Sequence, residues 1–189
     1  MADDRQLLEN YARGGDTAAL TELAVAHSRW LQALLRGLLP SEADAEDALQ
    51  ESWLRVIRHA GGYRGGSVRA YLARIARSVA IDRFRRIGRP LVPLDAPTTN
   101  GETISETIAD AAPTPDAAFE TSATSSEVRA HVRALPRGQR EVLLLRLEGE
   151  LTFREIAEQL GIPLGTALTW MRTATETLRR QLEGTKGWK

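Results

Sequence analysis

Acidic and basic side chains are segregated between residues 42 and 94. Five carboxylates come first, with no basic residue among them: Glu42, Asp44, Glu46, Asp47 and Glu51. From Ser52 to Leu94 the sole acid is Asp82, and the same stretch contains ten arginines: Arg55, Arg58, Arg64, Arg69, Arg74, Arg77, Arg83, Arg85, Arg86 and Arg89. A helix with so many arginines repels itself unless an anion neutralises it. The pattern therefore predicts contact with a phosphate backbone.

The arginines share their segment with aromatic side chains. At helical spacing, one face or its edge carries Arg74, Arg77, Ser78 and Arg85, while Tyr63, Tyr71 and Phe84 lie among the arginines. Aromatic rings beside basic residues suit unstacked bases as well as duplex DNA. The alternatives are a solvated face for the arginines and core packing for Tyr71 and Phe84, and we favour packing for Phe84. For the acids, favourable charge at a helix N-terminus explains Asp44 and Glu46 but not Glu51, two turns further along.

Residues suited to catalysis are present without the partners that a reaction needs. Glu46, Asp47, Glu51 and Asp82 are carboxylates, but acid–base catalysis also requires a pocket and usually a second group. The histidines, His27, His59 and His131, are isolated in sequence, and none has a metal ligand four residues on. No glycine loop is followed by Lys and Ser or Thr, and cysteine is absent. We therefore expect neither an enzyme nor a cofactor or metal site.

Composition narrows the class of protein. The chain has 189 residues with 25 basic and 25 acidic side chains, and every basic residue except Lys186 and Lys189 is arginine. Arginine favours bidentate contacts with phosphate groups and guanine edges. The N-terminus is polar and has no apolar signal core, and no run approaches the roughly 18 apolar residues of a membrane span. We therefore expect a soluble, cytoplasmic protein.

Local charge and composition divide the chain into domains. Residues 1–87 carry a net charge of +2, residues 88–126 carry −5, and residues 127–189 carry +3. The middle segment is rich in Pro, Thr, Ala, Ser and acids and has no sustained helical period, which predicts a flexible linker. We predict domains at 1–87 and 127–183, followed by a tail at 184–189. We favour solvation as the role of the acids in the linker. The alternatives are that the acids keep the linker away from DNA, or that they let it pass through a basic channel on a partner protein.

Helical periodicity predicts an all-α fold of two small helical domains joined by the linker. In the first domain, apolar stripes at 7–12 and 20–38 have the spacing of amphipathic helices, with Asp16 and either Ser41 or Asp44 as caps. A third helix is predicted to point Leu49, Trp53, Val56 and Ile57 inward. A glycine-rich loop from Gly61 to Gly66 then precedes a fourth helix from about Val68 to Arg86.

The last domain has the sequence pattern of a helix-turn-helix. Thr152 and Glu155 form a capping box, Gly161 supplies the tight turn, and a further helix opens between Pro163 and Thr166. The inward face of that helix is predicted to carry Ala167, Met171, Ala174, Leu178 and Leu182. In this geometry the second helix usually enters the major groove of DNA.

Three segments resemble the extracytoplasmic-function (ECF) group of the sigma-70 family. DAEDALQESWLRV, from Asp44 to Val56, resembles the polymerase-binding helix, and AYLARIARSVAIDRFRR, from Ala70 to Arg86, resembles the helix that melts and reads −10 DNA. LPRGQREVLLLR with EIAEQLGIPLGT resembles the domain that reads the −35 element. The resemblance implies a sigma factor that binds core RNA polymerase and directs promoter-specific initiation, with 1–87 as region 2 and 127–183 as region 4.

The resemblance also implies roles for the matching residues, and we predict that Asp47, Gln50 and Glu51 are exposed on one helix and that Arg74, Arg77 and Arg85 are exposed on another. The clamp helices of the largest polymerase subunit would be contacted by Asp44, Glu46, Asp47, Gln50, Glu51 and Leu54. Promoter DNA at −10, duplex and melted, would be contacted by Tyr63, Arg64, Tyr71, Arg74, Arg77, Ser78, Arg83, Arg85 and Arg86, with a flipped base captured by the loop at 61–67. The −35 element would be contacted by Arg154, Thr166, Leu168, Thr169, Trp170 and Arg172. An anti-sigma factor is a further implied partner, which the sequence does not identify.

The chain departs from the family pattern at several positions. Tyr71 replaces a usual Trp, and Ser78 replaces a usual Asn, which alters hydrogen-bonding capacity. On the recognition helix, basic residues are common where this chain has Leu168, Trp170, Thr173 and Thr175, so we expect a shallower salt dependence. Leu168 and Trp170 have alternative interpretations: contact with thymine methyl groups, docking of a protein or, for Trp170, packing on the preceding helices.

Two rival functions remain open from the sequence. A helix-turn-helix regulator that acts without polymerase explains residues 127–183, but it leaves the acidic helix and the glycine loop without a purpose. Such a regulator is also usually a dimer, and no dimerisation helix is evident. An adaptor that binds polymerase with little −35 readout is slightly favoured by the sparse basic charge of the recognition helix. Initiation at a defined site would distinguish a sigma factor from this adaptor.

Overall fold

The structure is a computed structural model that describes residues 3–86 and 125–186. Most of the predicted linker at 88–126 and the end of the tail therefore lie outside the described residues. Within the described ranges every regular element is helical and there is no strand, which confirms the all-α prediction. The helices are α1 (Asp4–Gly14), α2 (Thr17–Leu38), α3 (Glu42–His59), α4 (Val68–Arg86), α5 (Ser125–Ala134), α6 (Arg137–Leu147), α7 (Phe153–Leu160) and α8 (Leu164–Lys186), with a short 3-10 turn at Ala60–Gly62.

Contacts divide the chain into two compact units. One unit is Met1–Val92 with Leu144–Leu151, and the other is Pro93–Leu143 with Thr152–Lys189. The short segment Leu144–Leu151 is thus grouped with the first unit, whereas the sequence places it in the second domain. The domain boundaries at 87 and 127 stay a prediction.

Side-chain caps explain where the helices of the first unit begin. Asp16 accepts hydrogen bonds from the backbone N–H groups of Ala18 and Ala19, as predicted. Ser41, one of the two predicted caps, accepts from the N–H of Asp44 and starts α3. The predicted fourth helix is confirmed with its bounds, Val68–Arg86. Local capping therefore determines where α2 and α3 begin.

The core of the first unit forms where α2 contacts α1, α3 and α4. Leu23, Leu31, Leu34 and Leu35 are buried along α2, in agreement with the predicted stripe. On α3, Val56 is buried and Leu49 and Trp53 are half-buried. The prediction that Ile57 faces inward is wrong, because Ile57 is exposed. It lies seven residues after Gln50 and three after Leu54, and both of these residues are exposed on the same face of α3.

A polar network of Asp4, His27 and Trp30 joins α1 to α2. The indole Nε1 of Trp30 donates to Nδ1 of His27 at 2.8 Å, and Nε2 of His27 lies 2.9 Å from a carboxylate oxygen of Asp4. Because Nδ1 accepts, the proton of the neutral imidazole is on Nε2, facing Asp4. Burial lowers the pKa of His27, and the Asp4 carboxylate partly opposes that shift. His27 lies within the predicted apolar stripe at 20–38, but the sequence does not indicate this network.

The second unit contains the predicted helix-turn-helix. Thr152 and Glu155 form the capping box at the start of α7, and Gly161 ends that helix in the left-handed conformation with φ +66°. The apolar cluster contains Leu135, Leu143, Ala174 and Leu178, with Val132 and Met171 packed against it. Ala167, Ala174 and Leu178 of α8 are buried, and Met171 and Leu182 are half-buried, as the predicted inward face requires.

Candidate functional site

One face of α3 is exposed and largely without charge. Asp47, Gln50, Leu54 and Ile57 follow one another at helical spacing, and all four are exposed, Leu54 by 49%. Glu46 is also exposed, and Asp44 is half-buried at the start of the helix. We call Asp47, Gln50, Leu54 and Ile57 the α3 face. The expected exposure of Asp47 and Gln50 is thus observed, and Ile57 adds an apolar side chain that the sequence analysis assigned to the core.

Glu51 differs from the other predicted polymerase-binding residues because it is held within the molecule. Its carboxylate accepts from Arg55 Nε at 3.1 Å and from Arg58 at 3.3 Å, and its side chain is 34% exposed. The hydrogen bond from Arg55 is the main reason that the pKa of Glu51 lies below its usual value. Glu51 was expected to be exposed, and it is half-buried and ion-paired.

Ion pairs connect the acidic helix α3 to the basic helix α4. Arg55 reaches Asp82 at 2.9 Å and the hydroxyl of Ser78 at 3.3 Å. From the other side, Arg83 reaches the carboxylate of Asp47 at 2.7 Å. Sequence analysis missed these pairs, although one signal was available: Asp82 is the single acid among the arginines, and such a residue is a natural partner for a cation on a neighbouring helix.

A polar groove runs between α3 and α4. Its lining residues are Asp47, Gln50, Glu51, Leu54, Arg55, Val79, Asp82, Arg83 and Arg86. Residues expected to contact polymerase and residues expected to contact −10 DNA therefore meet in one depression. The two predicted interfaces are adjacent, and Asp47 and Arg83 are shared between them through their ion pair.

The arginines of α4 divide into exposed and partly buried groups. Arg74, Arg85 and Arg86 are exposed, whereas Arg77 and Arg83 are half-buried. Arg74 lies over the ring of Tyr71 at 5.8 Å, a distance typical of a cation–π contact. Ser78 is exposed beside them, and Phe84, for which packing was favoured, is half-buried. The expected exposure therefore holds for Arg74 and Arg85 and only partly for Arg77.

The glycine-rich loop holds Tyr63 against Tyr71. The two rings meet edge to face at 5.4 Å, and the Tyr63 hydroxyl donates to the carbonyl of Gly66 at 2.6 Å. Gly65 and Gly66 both have φ +92°, which only glycine adopts readily. Arg64 is exposed in the loop, and its guanidinium lies 3.4 Å from the carbonyl of Gly61.

Tyr71, one of the predicted DNA contacts, is buried in the structure. Its hydroxyl donates to the carbonyl of His59 at 3.2 Å. The residue lies on the face of α4 that also buries Val68, Leu72 and Val79, so packing determines its position. Tyr71 supports Tyr63 from behind and does not itself face solvent.

Two of the predicted −35 contacts, Thr166 and Trp170, are buried on the recognition helix. Trp170 is 6% exposed, and a Cβ added at Gly138 would clash with its ring, so the indole packs closely on the start of α6. Thr166, one turn earlier, is buried on the same side as Ala167 and Ala174. Of the three interpretations, packing is therefore correct for Trp170. Arg154, Thr169 and Arg172 are exposed, and Leu168 is half-buried.

The described residues contain neither a cluster of metal ligands nor a helix suited to a membrane. Within 3–86 and 125–186, His, Asp and Glu form no group of three suited to a metal ion. In the same ranges, no helix combines the length and the apolar character needed to cross a membrane.

Two family models match this chain, one after the other, in the same order as its two units. The family model described as Sigma-70 region 2 matches residues 23–89, and the one described as Sigma-70, region 4 matches residues 125–178. The ECF RNA polymerase sigma factor SigW of Bacillus subtilis is 31% identical over 172 residues, covering 89% of this chain and 91% of SigW. SigE of Mycolicibacterium smegmatis is 30% identical over 175 residues, covering 89% of this chain but only 64% of SigE.

Solved structures have the same fold. CnrH, in complex with the cytosolic domain of CnrY, has a TM-score of 0.67 at 20% identity, and the match covers 96% of this chain and 97% of the CnrH chain. The sigma factor RpoE of Bartonella quintana, in complex with the anti-sigma factor NepR, has a TM-score of 0.66 at 19% identity, and the match covers 86% of this chain and 96% of the RpoE chain. At these identities the likeness concerns the fold alone.

Proposed function

The chain belongs to the ECF group of the sigma-70 family, and from this premise we propose that it is a sigma factor, not an enzyme, that binds core RNA polymerase and directs initiation at specific promoters. The observation that carries the proposal is the α3 face. Leu54 and Ile57 expose apolar surface on a helix whose neighbouring charges Glu51, Arg55 and Arg58 are paired within the chain. An apolar centre with a polar rim is the usual anatomy of a protein interface.

We assign polymerase docking to the α3 face together with Glu46 and Asp44. Asp47 is its principal charged member, because its carboxylate is exposed even while it pairs with Arg83. A basic surface on the polymerase would add electrostatic steering to the apolar contact. Glu51 acts differently: it pairs with Arg55 and Arg58 on α3, and Arg55 in turn pairs with Asp82 of α4.

We assign −10 recognition to Arg64, Arg74, Arg77, Ser78, Arg85 and Arg86 with the loop around Tyr63. The exposed arginines would hold phosphates, and the edge of the Tyr63 ring is supported by Tyr71 so that a flipped base has a firm aromatic neighbour. We assign −35 recognition to Arg154, Leu168, Thr169 and Arg172. The place of action that fits these partners is the cytoplasm, and an anti-sigma factor is a further proposed partner.

The decisive experiment is binding to bacterial core RNA polymerase, measured as co-elution in size-exclusion chromatography. The test variant is Gln50→Arg/Leu54→Arg, which changes exposed side chains and leaves the ion pairs of Glu51 and Asp47 intact. Val25→Arg on α2 is the matched control, since it places arginine at another strongly exposed position. We expect wild type and control to co-elute and initiate transcription at a defined site, and the test variant to do neither.

The rival functions give different results in the same experiment. A regulator that acts without polymerase would not co-elute as wild type, while it would still bind duplex DNA. An adaptor would co-elute but would not direct initiation at a defined site. Either result with folded protein would contradict the proposal.

A further inference from the structure

The exposed face of α8 begins with methyl groups. Leu164 and Thr169 are exposed, and Leu168 and Thr173 are half-buried at the edge of the same face. At 100° per residue these positions surround Gly165, on the side opposite the buried Ala167, Trp170 and Ala174. We call Leu164, Leu168, Thr169 and Thr173 the methyl face.

The threonines of the methyl face have already used their hydroxyl protons. Thr169 donates to the carbonyl of Gly165 at 2.9 Å, and Thr173 donates to the carbonyl of Thr169 at 3.0 Å. Each hydroxyl therefore offers an outside ligand only an acceptor lone pair beside the methyl group. Like Leu164 and Leu168, these side chains therefore present methyl groups to DNA, and each threonine also presents a hydrogen-bond acceptor.

Exposed side chains with nitrogen donors are missing from the first two turns of this helix. Residues 164–171 contain no Arg, Lys, Asn or Gln, and the one indole donor, on Trp170, belongs to a buried side chain. Arg172 follows on the exposed face, 3.6 Å from Glu176 of the next turn. Reading a guanine edge requires a donor such as Arg or Lys, whereas a thymine methyl is read by apolar contact.

Gly165 allows the methyl face to come close to its target. A Cβ at this position would meet no atom within 4 Å, so the protein itself leaves the space above the helix open. In a helix-turn-helix, the N-terminal residues of the second helix contact base edges. Gly165 lies in that first turn, at the centre of the exposed face, where a side chain would hold the helix away from the bases.

We propose that the methyl face of α8 selects thymine-containing −35 sequences through the thymine 5-methyl groups, with Arg172 and Arg154 holding phosphates. This inference rests on the proposed function, because it names the bases that the −35 domain reads. Its specificity-determining residues are Leu164, Leu168 and Thr169. In addition, the hydroxyl oxygen of Thr169 is able to accept a hydrogen bond from the exocyclic amino group of adenine or cytosine.

The test uses the full chain with core RNA polymerase. Promoters are first selected from a library with a randomised −35 region, and each thymine of the selected element is then replaced by deoxyuridine, which removes the methyl group alone. We expect binding by the holoenzyme to fall about fourfold for each contacted methyl, the value for one apolar carbon removed from water. Deoxyuridine in the spacer between the two promoter elements is the control and should have no effect.

Two variants separate the methyl group of Thr169 from its hydroxyl. Thr169→Ser keeps the hydroxyl and removes the methyl, and it should abolish the effect of deoxyuridine at one position of the element. Thr169→Val keeps the methyl and removes the hydroxyl, and it should retain that effect. Both substitutions are at an exposed position, so both variants should fold.

The outcomes distinguish this inference from the function on which it rests. One outcome is that the selected elements are guanine-rich and insensitive to deoxyuridine, while initiation still occurs at a defined site. This result would refute the role of the methyl face in thymine selection and would leave the sigma factor function unaffected. A holoenzyme that initiates at no defined site on any library member would overturn both.

Discussion

Replacing Arg55 with alanine should loosen α3 from α4. The Arg55 side chain is only 21% exposed, and its guanidinium contacts Glu51 on its own helix and Asp82 and Ser78 on α4. Asp82 also pairs with Arg85, but at the longer distance of 3.9 Å. The substitution therefore removes the shorter of these two ion pairs and with it a charged link between α3 and α4.

The size of the effect follows from the exposure of the partners. An exposed ion pair contributes about 0.2–1 kcal/mol, and a hydrogen bond to a charged group contributes about 1.5–3 kcal/mol when it is buried. Glu51 and Asp82 are each 34% exposed, so the Arg55–Asp82 pair lies between these cases, at about 1 kcal/mol. Lost packing of the arginine stem adds to this, and we expect a total loss of about 2 kcal/mol.

The assay is native-state hydrogen exchange of the α3 and α4 amides, because unfolding of a chain with two units is not a single transition. Arg58→Ala is the matched control: it also loses a bond to Glu51, but its side chain is 57% exposed, so we expect less than about 0.5 kcal/mol. A double-mutant cycle with Asp82→Ala should give a coupling of about 1 kcal/mol. Equal effects of Arg55→Ala and Arg58→Ala, or a coupling near zero, would refute the reasoning.

Three further predictions concern other parts of the chain. Trp170→Ala should destabilise the second unit by about 3–5 kcal/mol in calorimetry, because the indole is buried against Gly138; a loss of −35 binding at unchanged stability would show that the ring contacts DNA instead. The pKa of His27 is lowered mainly by burial, with Asp4 opposing and Arg69 reinforcing the shift, so the neutral form is favoured in the fold. Thermal stability should therefore be full above the ordinary histidine pKa of about 6.5 and fall as the pH drops through the lower folded pKa, and His27→Gln should remove that dependence. Asp47→Asn should release Arg83 and steepen the salt dependence of single-stranded −10 DNA binding by roughly one phosphate contact, whereas Glu46→Gln, which removes the same charge from an exposed position, should not; equal slopes would contradict the pairing.

Features that depend on neighbouring residues in sequence were predictable. Asp16, Ser41 and the Thr152–Glu155 capping box start their helices by hydrogen bonds within a few residues, so the sequence contains all the participants. The bounds of α4 were predictable for the same reason: the glycine loop precedes Val68, and the apolar period is continuous to Arg86. The family motifs then placed these helices in a known order.

Features that depend on long-range packing were not predictable. Arg55 and Asp82 are 27 positions apart, and nothing in either helix specifies which arginine the single acid will bind. Burial of Trp170 depends on Gly138, whose missing side chain makes room for the ring on another helix. Ile57 has the spacing of a core residue, but among the described helices none covers it, and it is exposed. In each case the outcome depends on what lies opposite the residue and not on its own helix.

The charges that the sequence separates are brought together by the fold, and this changes what each interface can offer. Of the arginines near the groove, Arg55 and Arg83 are occupied by Asp82 and Asp47, so the charge available to promoter DNA is concentrated on Arg74, Arg85 and Arg86. A basic polymerase surface that binds Asp47 must compete with Arg83 for the same carboxylate. Polymerase binding would then release an arginine toward the DNA, and by thermodynamic reciprocity DNA that binds Arg83 would favour polymerase binding at Asp47. The ion pair between α3 and α4 would therefore couple the two proposed interfaces through a single contact of 2.7 Å.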